Sequence, residues 1–144
     1  MKKEIIDHWV LTDQLRKRSL DQERIKSMIE SAVTNMKVVK IVPLTEQSAI
    51  LIFRETYESI RQLGDAHWWI VGYEPRNHVV SMNVLKEMNI QEKTKLNHLD
   101  RFRNIRHDIN YKGFKATIGQ AKEIVEFWDA CSHEIITSLL KELE

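Results

Sequence analysis

The chain has 144 residues, of which 42% are hydrophobic and 30% are charged, and its net charge is +1. This composition excludes an intrinsically disordered chain, and the near balance of charge excludes a protein that coats nucleic acid through bulk positive charge. No apolar run approaches the roughly 18 residues that a membrane span needs.

Apolar residues at helical spacing predict a series of helices joined by short connections. Residues 2–11 form the first amphipathic helix or arm, and the polar, basic residues 11–20 either continue that helix or form a loop. Asp21 is placed to cap a second helix that runs to about Lys40. The VVKIV sequence near its end is strand-like but short, and we assign it to the helix end and the connector.

Turn residues divide the middle of the chain. Thr45 is predicted to open a third helix that continues to Val71. Gly72 and Pro75 then mark a turn. Asn77 follows at a position where it can cap a short fourth helix.

The next helix, predicted to begin near Lys93, carries the chemically dense stretch LDRFRNIRHDINYKG at residues 99–113. Gly113 is predicted to end it, because glycine accepts the left-handed cap conformation at little cost. Thr117 is predicted to open the last helix. Since no segment alternates apolar and polar residues convincingly, we expect an all-α fold. That fold is a compact up-and-down bundle of five or six helices in a single domain, 1–144, with residues 1–20 as an N-terminal helix or arm.

On a helical projection, the stretch 99–113 separates into an apolar stripe and a polar face. The stripe consists of Leu99, Phe102, Ile105 and Ile109, and the polar face consists of Asp100, Asn104, His107, Asp108 and Tyr111. Arg101 and Arg103 flank that face, and Arg103 is the neighbour of His107 because the two are four residues apart. Histidine titrates near neutral pH and arginine is a fixed positive charge, so we expect the functional site here.

Several other kinds of site are excluded by their missing motifs. The chain has no Glu-x-x-His pair for a di-iron bundle, no Cys/His zinc pattern, no phosphate-binding glycine loop and no G-x-S-x-G sequence. The single cysteine, Cys131, lies on an apolar helical stripe and is expected to be buried. Because these motifs are missing, we expect a protein that uses no cofactor or metal. With one cysteine and no signal-peptide sequence, we expect it to be reduced and cytoplasmic.

Two smaller groups of residues have structural interpretations. Trp68, Trp69 and Trp128 lie on or beside apolar faces, and we expect them to pack in the core or at a dimer interface. His78 and His98 lie near helix beginnings or connectors, and we expect both on the surface.

Charge is unevenly distributed in the last third of the chain. Residues 93–115 contain seven basic and two acidic residues, whereas residues 116–144 contain two lysines and six acids. A basic helix beside an acidic one indicates either internal ion pairing or a local site for an anion such as phosphate. The composition alone leaves both interpretations open.

The sequence RFRNIRHDINYKG resembles the HEPN superfamily, in particular small prokaryotic and archaeal members with an R-x-x-R-[NH]-x-x-x-Y-x-G pattern. The matching residues here are Arg103, Arg106, His107, Tyr111 and Gly113. The upstream sequence GYEPRNHVVSMNVL is also similar to the segment that precedes this pattern in such proteins. Together the similar segments span about residues 45–143.

The resemblance implies a dimerising bundle of four or five helices. For catalytic members it also implies metal-independent RNA cleavage by an arginine that is followed, after four to six residues, by a histidine. Arg101 satisfies that spacing to His107, whereas Arg103 is one residue too close. Members that act as toxins with a minimal nucleotidyltransferase tend to carry a tyrosine two residues after the histidine. Here that position is Ile109, and Tyr111 comes four residues after the histidine.

We therefore expect a HEPN-like homodimer that binds RNA or a nucleotide and acts as a metal-independent endoribonuclease in a toxin–antitoxin or defence system. His107 is the expected base, and Arg101 or Arg103 is expected to hold the phosphate. The substrate-binding residues would be Asn104, Arg106, Asp108 and Tyr111. A nucleotidyltransferase antitoxin is the expected protein partner.

Two functional alternatives and one structural alternative remain at the level of sequence. In the first, the same face belongs to a non-catalytic HEPN-like module that docks a nucleotide or a nucleotidyltransferase. In the second, His107 accepts a phosphoryl group in a phosphotransfer bundle, although Asp108, Ile109 and Asn110 replace the lysine and small residues expected after such a histidine. An ordinary solvated face with weak surface ion pairs would also fit the composition.

Overall fold

A computed structural model describes all residues from 1 to 144, and it confirms the predicted all-α bundle. The chain forms six α-helices: α1 (Lys3–Leu11), α2 (Gln22–Val39), α3 (Ala49–Ile70), α4 (His78–Lys86), α5 (Leu99–Lys112) and α6 (Ile118–Glu142). A 3-10 helix at Lys93–His98 leads directly into α5. The only sheet is a ribbon of two short strands, β1 (Leu15–Lys17) and β2 (Tyr73–Pro75).

Three of the predicted helix caps are confirmed. The side chains of Asp21, Asn77 and Thr117 each accept a hydrogen bond from the backbone N–H three residues later. At Thr117 the side chain of Gln120 returns the bond, since its Oε1 accepts from the Thr117 backbone N–H at 3.0 Å. Because these bonds satisfy N–H groups that the first helical turn leaves free, they fix where α2, α4 and α6 begin.

The predicted start of α3 at Thr45 is three residues early, although the Thr45 hydroxyl does accept a hydrogen bond from the Ser48 backbone N–H at 3.1 Å. The helix begins at Ala49, and residues 45–48 form a turn in which the Ser48 hydroxyl accepts from the Thr45 N–H at 2.8 Å and donates to the Pro43 carbonyl at 2.6 Å. Side-chain hydrogen bonds of this kind offer the backbone an alternative to the helix, and they delay its start.

Residues 11–20 neither continue α1 nor form a simple loop. After a turn, β1 pairs antiparallel with β2, with Leu15 opposite Pro75 and Lys17 opposite Tyr73. The Arg76 N–H extends the pairing by donating to the Gln14 carbonyl at 2.8 Å. The ribbon therefore joins the N-terminal segment to the connection between α3 and α4.

Helix α3 forms the centre of the bundle, because α2, α4, α5 and α6 all pack against it. The expected core packing of the tryptophans is confirmed, since Trp68, Trp69 and Trp128 are all buried. Trp68 also donates from its ring nitrogen to the Val80 carbonyl at 2.8 Å. Cys131 is buried as expected. None of the helices has both the length and the apolar composition needed to cross a membrane.

Helices α3 and α4 approach each other unusually closely at Gly64. A Cβ atom at this position would lie 2.1 Å from the Ser81 carbonyl oxygen, so only glycine permits the observed distance. Beside this contact, the Ser81 hydroxyl donates to Asp65 Oδ1 at 2.5 Å. The contact fixes α4 on α3 and thereby fixes His78, the first residue of α4.

A candidate anion-binding site between helices α3, α4 and α5

Helix α5 presents the faces that its sequence predicts. Leu99, Phe102 and Ile109 are buried, and the neighbouring polar positions face outward or toward α3 and α4. Gly113 has a φ of 69°, and the Phe114 N–H behind it donates to the Asp108 carbonyl at 3.3 Å. The predicted glycine stop is confirmed, because this left-handed conformation costs glycine little.

A cavity of about 220 Å³ opens to solvent between α3, α4 and α5. It is lined by Tyr57, His78, Val79, Arg103, Arg106, His107 and Tyr111. Four of the site residues predicted from sequence therefore lie together. No carboxylate is among the lining residues, so the cavity is positively charged.

The two arginines of the cavity have no acidic partner. Arg103 and Arg106 are half-buried, and neither forms an ion pair or a side-chain hydrogen bond within the chain. Asp100 and Asp108, the acids of α5, pair with lysines instead. Arg106 lies over the ring of Tyr57, with its Cζ 5.5 Å from the ring centroid, which orients the guanidinium without neutralising it. Both groups thus remain available to an anion.

His107 and Tyr111 form the outer wall of the cavity. Their ring centroids are 4.8 Å apart with the planes tilted by 41°, as expected for side chains one helical turn apart. His107 is exposed, and Tyr111 is 73% exposed. An imidazole and a phenol ring are therefore accessible at the mouth of a positively charged cavity.

The remaining predicted site residues lie elsewhere on α5. Arg101 is turned toward α6, where it forms an ion pair with Glu123 and places a guanidinium nitrogen 3.1 Å from His98 Nδ1. Asn104 is exposed outside the cavity, and Asp108 faces a separate hollow near Phe114. Within one chain, the structure does not bring these three residues to His107 in the cavity.

His78 is a cavity residue that the sequence analysis missed. It is half-buried instead of lying on the surface, and its ring stacks on the ring of Tyr57 with centroids 5.7 Å apart. Its Nδ1 lies 3.2 Å from the Tyr57 hydroxyl oxygen. The cap at Asn77 was the only local signal, because it places His78 in the first turn of a helix. The direction in which that turn faces is set by the packing of α4 on α3.

Both members of this pair are uncharged at neutral pH. Burial lowers the pKa of His78 to about 4, and the positive charges of Arg61 and Arg106 act in the same direction. Burial also raises the pKa of Tyr57 to about 12, with Arg106 opposing the rise. Arg61 itself is held by Glu58 and Asp65, so it contributes charge without facing the cavity as a free group.

The arrangement as a whole suits the recognition of an anion by guanidinium groups and ring N–H or O–H donors. No group of three or more His, Cys, Asp or Glu side chains is arranged to hold a metal ion. No family model matches the chain, and no curated protein or solved structure is detectably similar to it. The interpretation of the cavity therefore depends on its own chemistry.

Proposed function

We propose that the cavity binds the phosphate backbone of RNA and that the protein is a HEPN-like endoribonuclease that acts without a metal ion. One observation carries the proposal: two guanidinium groups without acidic partners, those of Arg103 and Arg106, line the same open cavity as His107. Arginine binds phosphate oxygens in a bidentate, charge-assisted manner, and such bonds are stronger than neutral ones.

Single-stranded RNA is the substrate class that fits best. Tyr111 offers an exposed ring face at the mouth of the cavity, on which an unpaired base can stack. Bases inside a duplex are not free to stack in this way. The expected cytoplasmic location would give the protein access to such RNA.

The proposed reaction is an internal phosphoryl transfer within the RNA. His107 takes the proton of the ribose 2′-hydroxyl, and the 2′ oxygen then forms a bond to the adjacent phosphorus. The bond from phosphorus to the 5′ oxygen breaks, and that oxygen receives a proton from the imidazolium or from water. Arg103 and Arg106 stabilise the charge on the other phosphate oxygens as the reaction proceeds. The products are a cyclic phosphate end and a 5′-hydroxyl end.

A cleavage assay in EDTA tests this proposal. The purified protein is expected to cleave labelled single-stranded RNA, and His107→Ala is expected to lower the rate by about a hundredfold or more. Arg103→Ala should also abolish cleavage, whereas Arg101→Ala, outside the cavity, should retain it. Circular dichroism checks that each variant is folded. A folded wild-type protein that cleaves no RNA would contradict the enzymatic part of the proposal.

The apolar rim of the cavity supports two protein partners, a second copy of the chain and a nucleotidyltransferase. Val79 and Tyr111 form this rim and are 40% and 73% exposed, whereas Phe114, which lies outside the cavity beyond the end of α5, is 57% exposed. We propose that this rim, together with Phe114, contacts a second copy of the chain. Sedimentation analysis of the wild type and Phe114→Ser tests for the dimer.

The same rim favours a second candidate function, a non-catalytic module that docks a nucleotide or a nucleotidyltransferase antitoxin. In that case the protein would retain affinity for nucleotide or for RNA but would show no turnover. A nucleotidyltransferase that protects cells from this protein would in turn support the toxin–antitoxin setting. Binding and cleavage measured on the same preparation distinguish the two functions.

A further inference from the structure

The hydrogen bond between Tyr57 and His78 determines which ring nitrogen of His78 carries a proton. Tyr57 is fully buried, and His78 Nδ1 is the only hydrogen-bond partner of its hydroxyl group. A buried O–H that fails to donate loses its bond to water without replacement. The phenol therefore donates, and His78 Nδ1 accepts.

An uncharged imidazole that accepts at Nδ1 carries its proton on Nε2. His78 Nε2 has no partner within the chain, yet it is not a buried atom, because the only buried side-chain polar atom without a partner is Nδ1 of His67. The open space that His78 lines is the cavity. An N–H donor is thus available beside Arg103 and Arg106.

We propose that His78 is the third phosphate-binding group of the cavity, an uncharged donor that contacts a phosphate oxygen through Nε2–H, and that Tyr57 is the positioning residue that sets this tautomer. The inference rests on the proposed function, because it assumes that the cavity binds a phosphodiester. It adds an uncharged hydrogen-bond donor to the two charged guanidinium groups of the site.

The surroundings of His78 favour an uncharged donor over a cation. The charges of Arg61 and Glu58 on α3 act on the ring, and Arg103 and Arg106 on α5 line the cavity with it. A positive charge on the imidazole would be repelled by these three arginines, and burial keeps the pKa of His78 at about 4. The close packing of α4 on α3 at Gly64 then holds the ring in place.

Two substitutions at His78 separate the two sides of its ring. In His78→Asn the amide oxygen keeps an acceptor near Nδ1 for Tyr57 but removes the donor at Nε2. In His78→Gln the amide nitrogen keeps a donor near Nε2 but removes the acceptor for Tyr57. We expect His78→Asn to bind RNA about tenfold more weakly, the loss of one hydrogen bond to a charged group, and His78→Gln to bind close to wild type.

Fluorescence anisotropy with a short labelled oligouridylate measures this binding, with inorganic phosphate as competitor. NMR of the protein with isotope-labelled histidine identifies the tautomer directly. In the wild type the His78 ring is expected to be protonated at Nε2 with no detectable Nδ1-protonated form, and Tyr57→Phe is expected to lose that restriction and to bind more weakly. Thermal unfolding checks that every variant is folded.

The outcomes distinguish this inference from the proposed function. If the wild type binds neither probe, the proposed function fails and the inference fails with it. If Arg103→Gln weakens binding but His78→Asn does not, or if His78→Gln binds as weakly as His78→Asn, the role of His78 is overturned and the anion site stands. A His78 ring protonated at Nδ1 would overturn the inference whatever the binding results.

Discussion

The two flanks of α5 carry the same type of residue in opposite situations. On the side of α6, Arg101 is bound by Glu123 and approached by His98. On the side of α3 and α4, Arg103 and Arg106 line an open cavity without any carboxylate. The charge segregation seen in the sequence therefore has two explanations at once: internal pairing accounts for one flank, and a free positive site accounts for the other.

The helices that face each flank explain the difference. Helix α6 supplies a free carboxylate, Glu123, within reach of Arg101. Helix α3 also carries acids, but Glu58 and Asp65 are already bound to Arg61 on the same helix. Arg103 and Arg106 thus remain available for a ligand, because the acids of the neighbouring helix are already paired within that helix. The position of an arginine in the sequence does not reveal whether an acid on a neighbouring helix will pair with it.

Neutralising the cavity arginines is expected to have the largest effect. The double variant Arg103→Gln/Arg106→Gln should weaken binding of single-stranded RNA by about a hundredfold, since two charge-assisted contacts are lost. It should also reduce the dependence of binding on salt. Arg101→Gln is the matched control and should bind nearly as well as the wild type. An equal loss in Arg101→Gln, measured by anisotropy, would remove the distinction between the two flanks.

The glycines on the two sides offer a comparison of stability. Gly64→Ala forces a Cβ against the Ser81 backbone and should lower the free energy of unfolding by about 1–3 kcal/mol, with loss of the cavity wall. Gly119→Ala, in the first turn of α6, meets nothing nearer than 3.8 Å and should raise that free energy by about 0.5–1 kcal/mol. Urea unfolding measures both. If Gly64→Ala left the free energy of unfolding unchanged, α4 would be free to move away from α3.

Acid should destabilise the wild type more than a variant that lacks His78. The pKa of His78 lies at about 4 in the folded chain against 6.5 for an ordinary histidine, so the unfolded chain takes up the proton first. The contribution of His78 is complete above pH 6.5 and is lost as the pH falls toward 4. The melting temperature of His78→Asn should therefore fall less steeply with acid than that of the wild type over this range. Identical pH profiles would contradict the buried, uncharged state of His78.

Removing the acid partner on the α6 side should have the smallest effect. The side chains of Arg101 and Glu123 are 43% and 41% exposed, and exposed ion pairs contribute about 0–1 kcal/mol. Glu123→Gln should therefore change the free energy of unfolding by no more than about 1 kcal/mol and should leave RNA binding by the monomer unchanged. A clear gain in affinity would place Arg101 at the cavity and would make the two flanks alike.

The parts of the fold that depend on neighbours in sequence were predictable. The caps at Asp21, Asn77 and Thr117 and the stop at Gly113 each depend on hydrogen bonds or a backbone conformation within a few residues. The helical grouping of Arg103 with His107 is local in the same sense. Helix α3 begins three residues later than a cap at Thr45 predicts, because reciprocal hydrogen bonds between Thr45 and Ser48 close a turn before it.

The parts that depend on distant contacts were not predictable. Each strand of the ribbon has three residues, too few to show an alternating pattern, and the partner strand lies far away in the sequence. His78 was assigned to the surface because its burial depends on Tyr57, on another helix. The pairing of Arg101 likewise depends on how α6 returns along α5.

The ribbon gives the first residues of the chain an influence on the cavity. The Gln14 carbonyl accepts from the Arg76 N–H, and the Gln14 side chain accepts from the Asn77 side chain, whose oxygen caps α4 directly before His78. If β1 separated from β2, both the cap at Asn77 and the imidazole of His78 would become less firmly held. Because coupling between two sites is reciprocal, a ligand that binds better when His78 is held in place also stabilises the pairing of β1 with β2. Slower amide hydrogen exchange around residues 14–17 would then report occupancy of a cavity that those residues never touch.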